Sequence, residues 1–190
     1  MDYEYPPLSS ALVLINTSSA AKSGTASMSG NVEEVDKKLR AAADGHVDLI
    51  QWLLGPNDMI VHVHAKGFKE LLRVIDSRIL PLKNETYNKI ASAETLIVTS
   101  SKARKAFALS GTKPKDLNAW VFANTNSNDP ELGFRLMEDE HVFYVAHVIG
   151  RYDMVLLIRA PDLPGLMSAI DKTLRTKNYF VGTDTRIVLM

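Results

Sequence analysis

Two hydrophobic periodicities alternate along this chain, and they do so in the same order twice. Ala11 to Ile15 is a short apolar run suited to a buried strand. After the Ser/Ala/Gly-rich stretch Ser18 to Asn31, which reads as a mobile loop, Asn31 is placed to cap a helix. In that helix Val32, Val35, Leu39 and Ala42 recur at helical spacing, while Glu33, Glu34, Lys37, Lys38 and Arg40 lie mostly outside the stripe; Asp44-Gly45 ends it. Val47 to Leu54 and Met59 to Ala65 then flank Gly55-Pro56-Asn57-Asp58 as two strands around a hairpin turn. Phe68, Leu71, Leu72, Ile75 and Ile79 form a second helical stripe that stops near Pro81, and Thr95 to Thr99 supplies a last strand. The order returns as Asn118 to Ala123, Asp129 to Glu138, Val142 to Ile149, Asp153 to Ala160, Leu163 to Leu174 and Asp184 to Leu189. Asp162 ahead of Pro164 is a start signal for the second helix of this copy.

The two halves align residue by residue. Leu54 to Met59 matches Ile149 to Met154, and the register holds at an offset of 95 through Val61 and Leu156, Val63 and Ile158, and Asp76 and Asp171. Asn16-Thr17 matches Asn124-Thr125 at an offset of 108, and Thr95 to Val98 matches Thr185 to Val188 at 90. The falling offsets place about 11 extra residues in the Ser18 to Asn31 stretch and about five between Pro81 and Ile90, both in the first copy. A βαββαβ unit builds an antiparallel sheet with both helices on one face, the ferredoxin-like arrangement. In the strand Met59 to Ala65, Val61 and Val63 are expected to face the helices and Ile60, His62 and His64 the other side, with Val155, Leu157 and Arg159 as their second-copy counterparts. Apolar residues on that side need cover, so the expected fold is α+β: two ferredoxin-like repeats packed as an intramolecular dimeric α/β barrel, a pseudo-dimer. Residues 1–100 form the first repeat, 101–117 a linker bearing Lys102, Arg104, Lys105, Lys113 and Lys115, and 118–190 the second repeat.

Composition narrows the function classes. The formal charges, 22 basic and 22 acidic, cancel, so no global field favours nucleic acid. No long apolar window suits a membrane span, and the acidic, proline-bearing start Met1 to Pro7 is unlike a signal peptide; the expectation is a cytoplasmic protein with no membrane partner. Cysteine is absent, which removes disulfides and thiolate chemistry. No Gly-x-Ser-x-Gly elbow, His-Glu-x-x-His pair, phosphate loop or dinucleotide fingerprint occurs.

From Val142 to Met190 the chain resembles the effector-binding domain of the Lrp/AsnC family of amino-acid-responsive transcriptional regulators. The resembling residues are Val148 to Met154, the strand Val155 to Ile158, the helix Leu166 to Leu174, and Gly182 to Leu189. The family pattern sets Gly-x-Tyr/Phe-Asp between two strands and Thr-x-Thr before a closing strand. The resemblance implies ferredoxin-like domains paired into barrels, barrels assembled into rings, and a small effector, often an amino acid, between pairs. It would place that ligand on Gly150, Tyr152, Asp153, Thr183 and Thr185, with Gly55, Asp58 and Thr95 as first-copy equivalents. The chemistry suits: Asp153 can accept from an ammonium group, and hydroxyls and turn N–H groups can donate to a carboxylate. Gly150 and Asp153 can equally serve the turn alone, and Thr185 can be an ordinary strand residue.

The chain departs from that pattern where Asn57 stands for Tyr152 and Ala93 for Thr183, and no helix-turn-helix lies between Met1 and the first strand. The leading expectation is a non-enzymatic sensing or assembly module for an amino acid or similar metabolite. It would be a homo-oligomer of pseudo-dimers, able to join a full-length Lrp/AsnC regulator, with no cofactor, no catalytic residue and no direct nucleic-acid contact. The competing expectation is a small α/β-barrel oxidative enzyme of the monooxygenase or haem-dependent type. For that reading His147 or the pair His62 and His64 could act as base or axial ligand; separately, His62 and His64, two imidazoles on one face of one strand, could share a metal ion with His46, His141, His147 or a carboxylate as third ligand. The expectation is that the histidines are structural and no metal is held.

Overall fold

The computed structural model describes residues 3–4, 9–17, 28–43, 45–82, 90–104, 116–127, 129, 131–175 and 179–189. The segments 18–27, 83–89 and 105–115, which hold most of the two first-copy insertions and of the basic linker, lie outside the described residues. Two compact units result: Pro7–Thr95, and Met1–Pro6 together with Leu96–Met190.

In the first unit β2 (Ser9–Thr17), α1 (Met28–Ala43), β3 (Val47–Leu54), β4 (Met59–Ala65), α2 (Phe68–Val74) and the start of β5 (Ile90–Arg104) give the βαββαβ order. Strands lie in the order β5-β2-β4-β3. β2 and β4 are antiparallel from Ser9 with Ala65 to Ile15 with Met59. The helix α1 begins at Met28, a turn earlier than the sequence suggests, so Asn31 lies inside it and is not its cap. Val35 and Leu39, four apart, are the buried pair of its stripe. α2 runs on without a break into one π-helical turn, Ile75–Ile79, whose wider spacing keeps both Ile75 and Ile79 buried.

The second unit repeats the plan with β6 (Leu117–Thr125), α3 (Leu132–Leu136), β7 (Val142–Ile149), β8 (Met154–Ala160), α4 (Leu163–Arg175) and β9 (Phe180–Leu189), in strand order β9-β6-β8-β7. Here α3 is only 5 residues long, shorter than the expected Asp129 to Glu138, yet Leu132 and Leu136 still bury one apolar pair. α4 starts where Asp162 accepts the Gly165 N–H at 2.7 Å, the side-chain cap the sequence announces. Its core joins Val121, Met154, Leu156, Ile158, Leu166 and Ile170 on the helix side of the sheet. The far end of β5 belongs to this unit: Ile97 to Ala103 pairs with β7, and the short β1 (Tyr3–Glu4) pairs with Ala103 and Arg104. Ser101 to Arg104, placed in the linker by sequence, are therefore strand.

The residues expected on the side away from the helices are buried too. Ile60 and Val155 are 0% exposed, Leu157 1% and His62 4%. At roughly 1.5–3 kcal/mol for each fully buried large apolar side chain, an upper estimate, both faces of each sheet contribute to stability. Among the described residues no helix is long and apolar enough to cross a membrane.

Candidate active site

In the first unit the histidines meet a carboxylate that periodicity does not announce. The pairing of β3 with β4 shifts between Val47 and Leu49, so Asp48 is the bulged residue. A bulge bends the strand and re-aims its extra side chain. Here it brings one oxygen, Asp48 Oδ2, to 2.7 Å from His64 Nδ1 and 3.3 Å from His62 Nδ1. His64 Nδ1 sits on the tighter contact and its side chain is 24% exposed, against 5% for His62. His46 closes the group, with Nδ1 at 3.0 Å from the His64 carbonyl oxygen and its ring centroid 6.1 Å from that of His64. Burial pushes the Asp48 carboxyl up, but hydrogen bonding by His62 and the charges of His64 and His62 outweigh it and hold the group below its ordinary value. The Asp48–His64 contact is a close charge contact rather than an aligned hydrogen bond; a carboxylate beside Nδ1 still favours a proton there and a lone pair on Nε2.

The residues named from sequence are distributed over separate places. Asp58 and Asp153 are both strand clamps. Asp58 Oδ2 accepts from the Thr17 N–H at 2.6 Å and from the Thr17 hydroxyl at 2.7 Å, and Asp153 Oδ2 accepts from the Thr125 N–H at 2.9 Å. Their backbones match as well, since each donates its N–H at 3.0 Å to a strand carbonyl, Ile15 or Ala123. Gly55 and Gly150 begin the two hairpin turns at φ 156° and 157°, a region that residues with a Cβ avoid. Tyr152 belongs to a cluster on the sheet side away from the helices. Its hydroxyl donates to Asp184 Oδ2 at 3.0 Å, Arg186 Nη2 donates to the same oxygen at 2.6 Å, and the Arg186 guanidinium lies 4.5 Å from the Phe122 ring centroid. Burial and the adjacent Asp184 carboxylate push the Tyr152 hydroxyl up, so it stays protonated as a donor.

Thr183 and Thr185 face a different feature, an open groove of about 520 Å³ between α4 and β9, shared with Met167, Ile170, Asp171 and Leu174. Neither Tyr152 nor Asp153 lines it. Thr95 is half-buried in β5, apart from the Asp58 clamp on Thr17. The second unit also holds His147, whose Nε2 is buried with no hydrogen-bond partner. Burial and then the charge of Lys102 keep this imidazole below its ordinary pKa. Sequence reasoning found His62 and His64 but missed Asp48, Asp184 and the almost fully buried Arg186. A charged residue inside the apolar run Val47 to Leu54 was the available signal for Asp48.

No family model matches this chain, and no curated protein does. Solved structures do. The siroheme decarboxylase NirDL aligns with 99% of this chain and 72% of its own at 9% identity and a TM-score of 0.62. A mutant chlorite dismutase from Candidatus Nitrospira defluvii aligns over 96% of this chain and 91% of its own at 12% identity and a TM-score of 0.59. At these identities the likeness establishes the fold: the chain has the two-repeat ferredoxin-like architecture of dimeric α/β-barrel proteins. FFRP-DM1 aligns with only 47% of this chain, and 97% of its own, at 24% identity and a TM-score of 0.35. The Lrp/AsnC resemblance is thus met at half length only. The expectation of a non-enzymatic, amino-acid-responsive module for transcription regulation is corrected on this point, because the whole-length neighbours are enzymes. In this chain Asp153 of the Gly-x-Tyr-Asp pattern accepts from the Thr125 N–H at 2.9 Å.

Proposed function

We propose that this chain is an enzyme of the dimeric α/β-barrel kind, that Asp48, His62 and His64 form its reactive centre, and that it works with an iron tetrapyrrole. The observation that carries the reading is the bulged Asp48 carboxylate shared by two imidazoles at Nδ1. Among the described residues no three His, Asp or Glu side chains converge to cage a metal ion by themselves. An iron tetrapyrrole carries most of its own metal ligands and would need little more than one imidazole from the protein, a donor that His62 or His64 could provide. One whole-length neighbour, the siroheme decarboxylase NirDL, has been crystallised with an iron-uroporphyrin III analogue, which supports this class of ligand.

In this reading His64, the more exposed of the pair, is the residue that would hold the group. Asp48, 2.7 Å from His64 Nδ1, would fix the orientation of the ring. His62 lies buried beside the same carboxylate, its Nδ1 3.3 Å from Asp48 Oδ2. The bound group would supply one-electron or oxygen chemistry at iron. The test is a titration of the purified protein with haemin, followed through the Soret band. The expected result is a saturable, red-shifted band that His64→Ala abolishes and His62→Ala retains. An identical band in His64→Ala, or none in the unaltered protein, rejects the assignment.

A further inference from the structure

The second repeat carries the same bulge and aims a different side chain with it. The β7–β8 register shifts between Val142 and Tyr144, so the bulged residue is Phe143, the counterpart of Asp48 at the offset of 95. Arg159 stands where His64 stands in the first repeat. The backbone confirms the match, since His64 donates its N–H to the His46 carbonyl at 2.8 Å and Arg159 donates to the His141 carbonyl at 2.9 Å. The duplicated position has thus changed from an imidazole beside a carboxylate to a guanidinium beside an aromatic ring.

That guanidinium is held on two sides. Its carbon lies 4.3 Å from the Phe143 ring centroid, and Arg159 Nε donates to Asn118 Oδ1 at 2.8 Å. Asn118 is itself only 2% exposed, and its amide reaches the Asp116 carbonyl at 3.4 Å. Stacking uses the face of the guanidinium and Asn118 uses Nε, which leaves the terminal Nη1 and Nη2 as the donors for a planar acceptor. The Arg104 guanidinium, occupied by the carbonyls of Val142, Met137 and Asp139, lies 5.9 Å from the same ring and adds positive charge. Burial weakens the hold of Arg159 on its proton, and the charge of Asp116 only partly opposes this. A bound anion would offset that burial cost by pairing with the guanidinium.

We propose that Arg159, stacked on Phe143 and held by Asn118, is a receptor for the carboxylate of an anionic ligand. The site uses none of the residues of the proposed reactive centre, so it can stand or fall without it. The test is NMR of the full-length protein carrying ¹⁵N-labelled arginine, titrated with benzoate and, separately, with its neutral counterpart benzamide. The Arg159 Nε–H signal is identified as the one missing from Arg159→Lys. Benzoate should move it saturably while benzamide leaves it in place. In uniformly ¹⁵N-labelled Arg159→Lys, which keeps the charge and loses the fork, the Asn118 side-chain amide should report binding weakened about tenfold relative to the uniformly labelled unaltered protein, the cost of one lost charge-assisted contact. No saturable movement with benzoate, equal movement with benzamide, or undiminished binding in Arg159→Lys overturns the proposal.

Discussion

Replacing Asp58 and Asp153 by alanine, one at a time, asks how much the duplicated strand clamp contributes. Asp58 Oδ2 accepts two hydrogen bonds from Thr17, at 2.6 Å and 2.7 Å, in a part-buried setting. Asp153 Oδ2 accepts one from Thr125 at 2.9 Å in an exposed setting. A hydrogen bond to a charged acceptor contributes about 1.5–3 kcal/mol, and two on one oxygen do not add fully. Asp58→Ala should therefore cost about 3 kcal/mol, and Asp153→Ala, screened by water, about 1 kcal/mol. For a chain of this size the melting temperature should fall by roughly 6–12 °C and 2–4 °C respectively. Calorimetry gives the two shifts. A double-mutant cycle of Asp58→Ala with Thr17→Val separates the hydroxyl's share, with a coupling of about 1 kcal/mol expected. Equal losses in the two aspartate variants, or a larger loss for Asp153→Ala, would refute the clamp as the reason for these residues.

Three further outcomes follow from the charged groups. The Asp48 carboxyl is held below its ordinary 3.8 in the folded protein, so its contribution is present above that pH and is lost as the pH falls through the folded value. Asp48→Asn should flatten the acid limb of stability measured by urea unfolding between pH 5 and 2, and an unchanged limb would contradict the ion contact with the histidines. His147 is held below its ordinary 6.5, so as the pH falls from 6.5 to its folded value the unfolded chain takes up the proton first and stability drops. His147→Gln should reduce that slope, and a steeper one would reverse the sign. Arg186→Ala removes a cation that is 1% exposed and leaves the Asp184 carboxylate with the Tyr152 hydroxyl as its hydrogen-bond donor and the Arg151 charge nearby, at an expected cost of about 3 kcal/mol in chemical denaturation; a loss under about 1 kcal/mol would mean the pair is incidental.

The strands and helices of both repeats were legible in the sequence because each buries a stripe at its own period, as Val35 and Leu39 do in α1 and Leu166 and Ile170 do in α4. The Asp162 cap was legible for the same local reason. What periodicity misses are features set between strands. The bulge at Asp48 is a register shift on β4, so the carboxylate's meeting with His62 and His64 depends on pairing that no window along the chain contains. Arg186 is likewise buried by groups far away in sequence, Tyr152 and Phe122. The residues of the Gly-x-Tyr-Asp and Thr-x-Thr pattern could be named, but their grouping could not. Alternate residues of β9 face opposite ways, which sends Thr183 and Thr185 to the groove and Asp184 to Tyr152.

The reactive centre depends most on what the Asp48 carboxylate does to the imidazole beside it, and that can be observed directly. Long-range ¹H–¹⁵N correlation spectra of the ring nitrogens near neutral pH report the tautomer of each histidine. His64 is expected to carry its proton on Nδ1, toward Asp48, with Nε2 as the lone-pair nitrogen, and to lose that preference in Asp48→Asn. A proton resident on His64 Nε2 in the unaltered protein, or a tautomer indifferent to Asp48→Asn, would contradict the reactive centre described above.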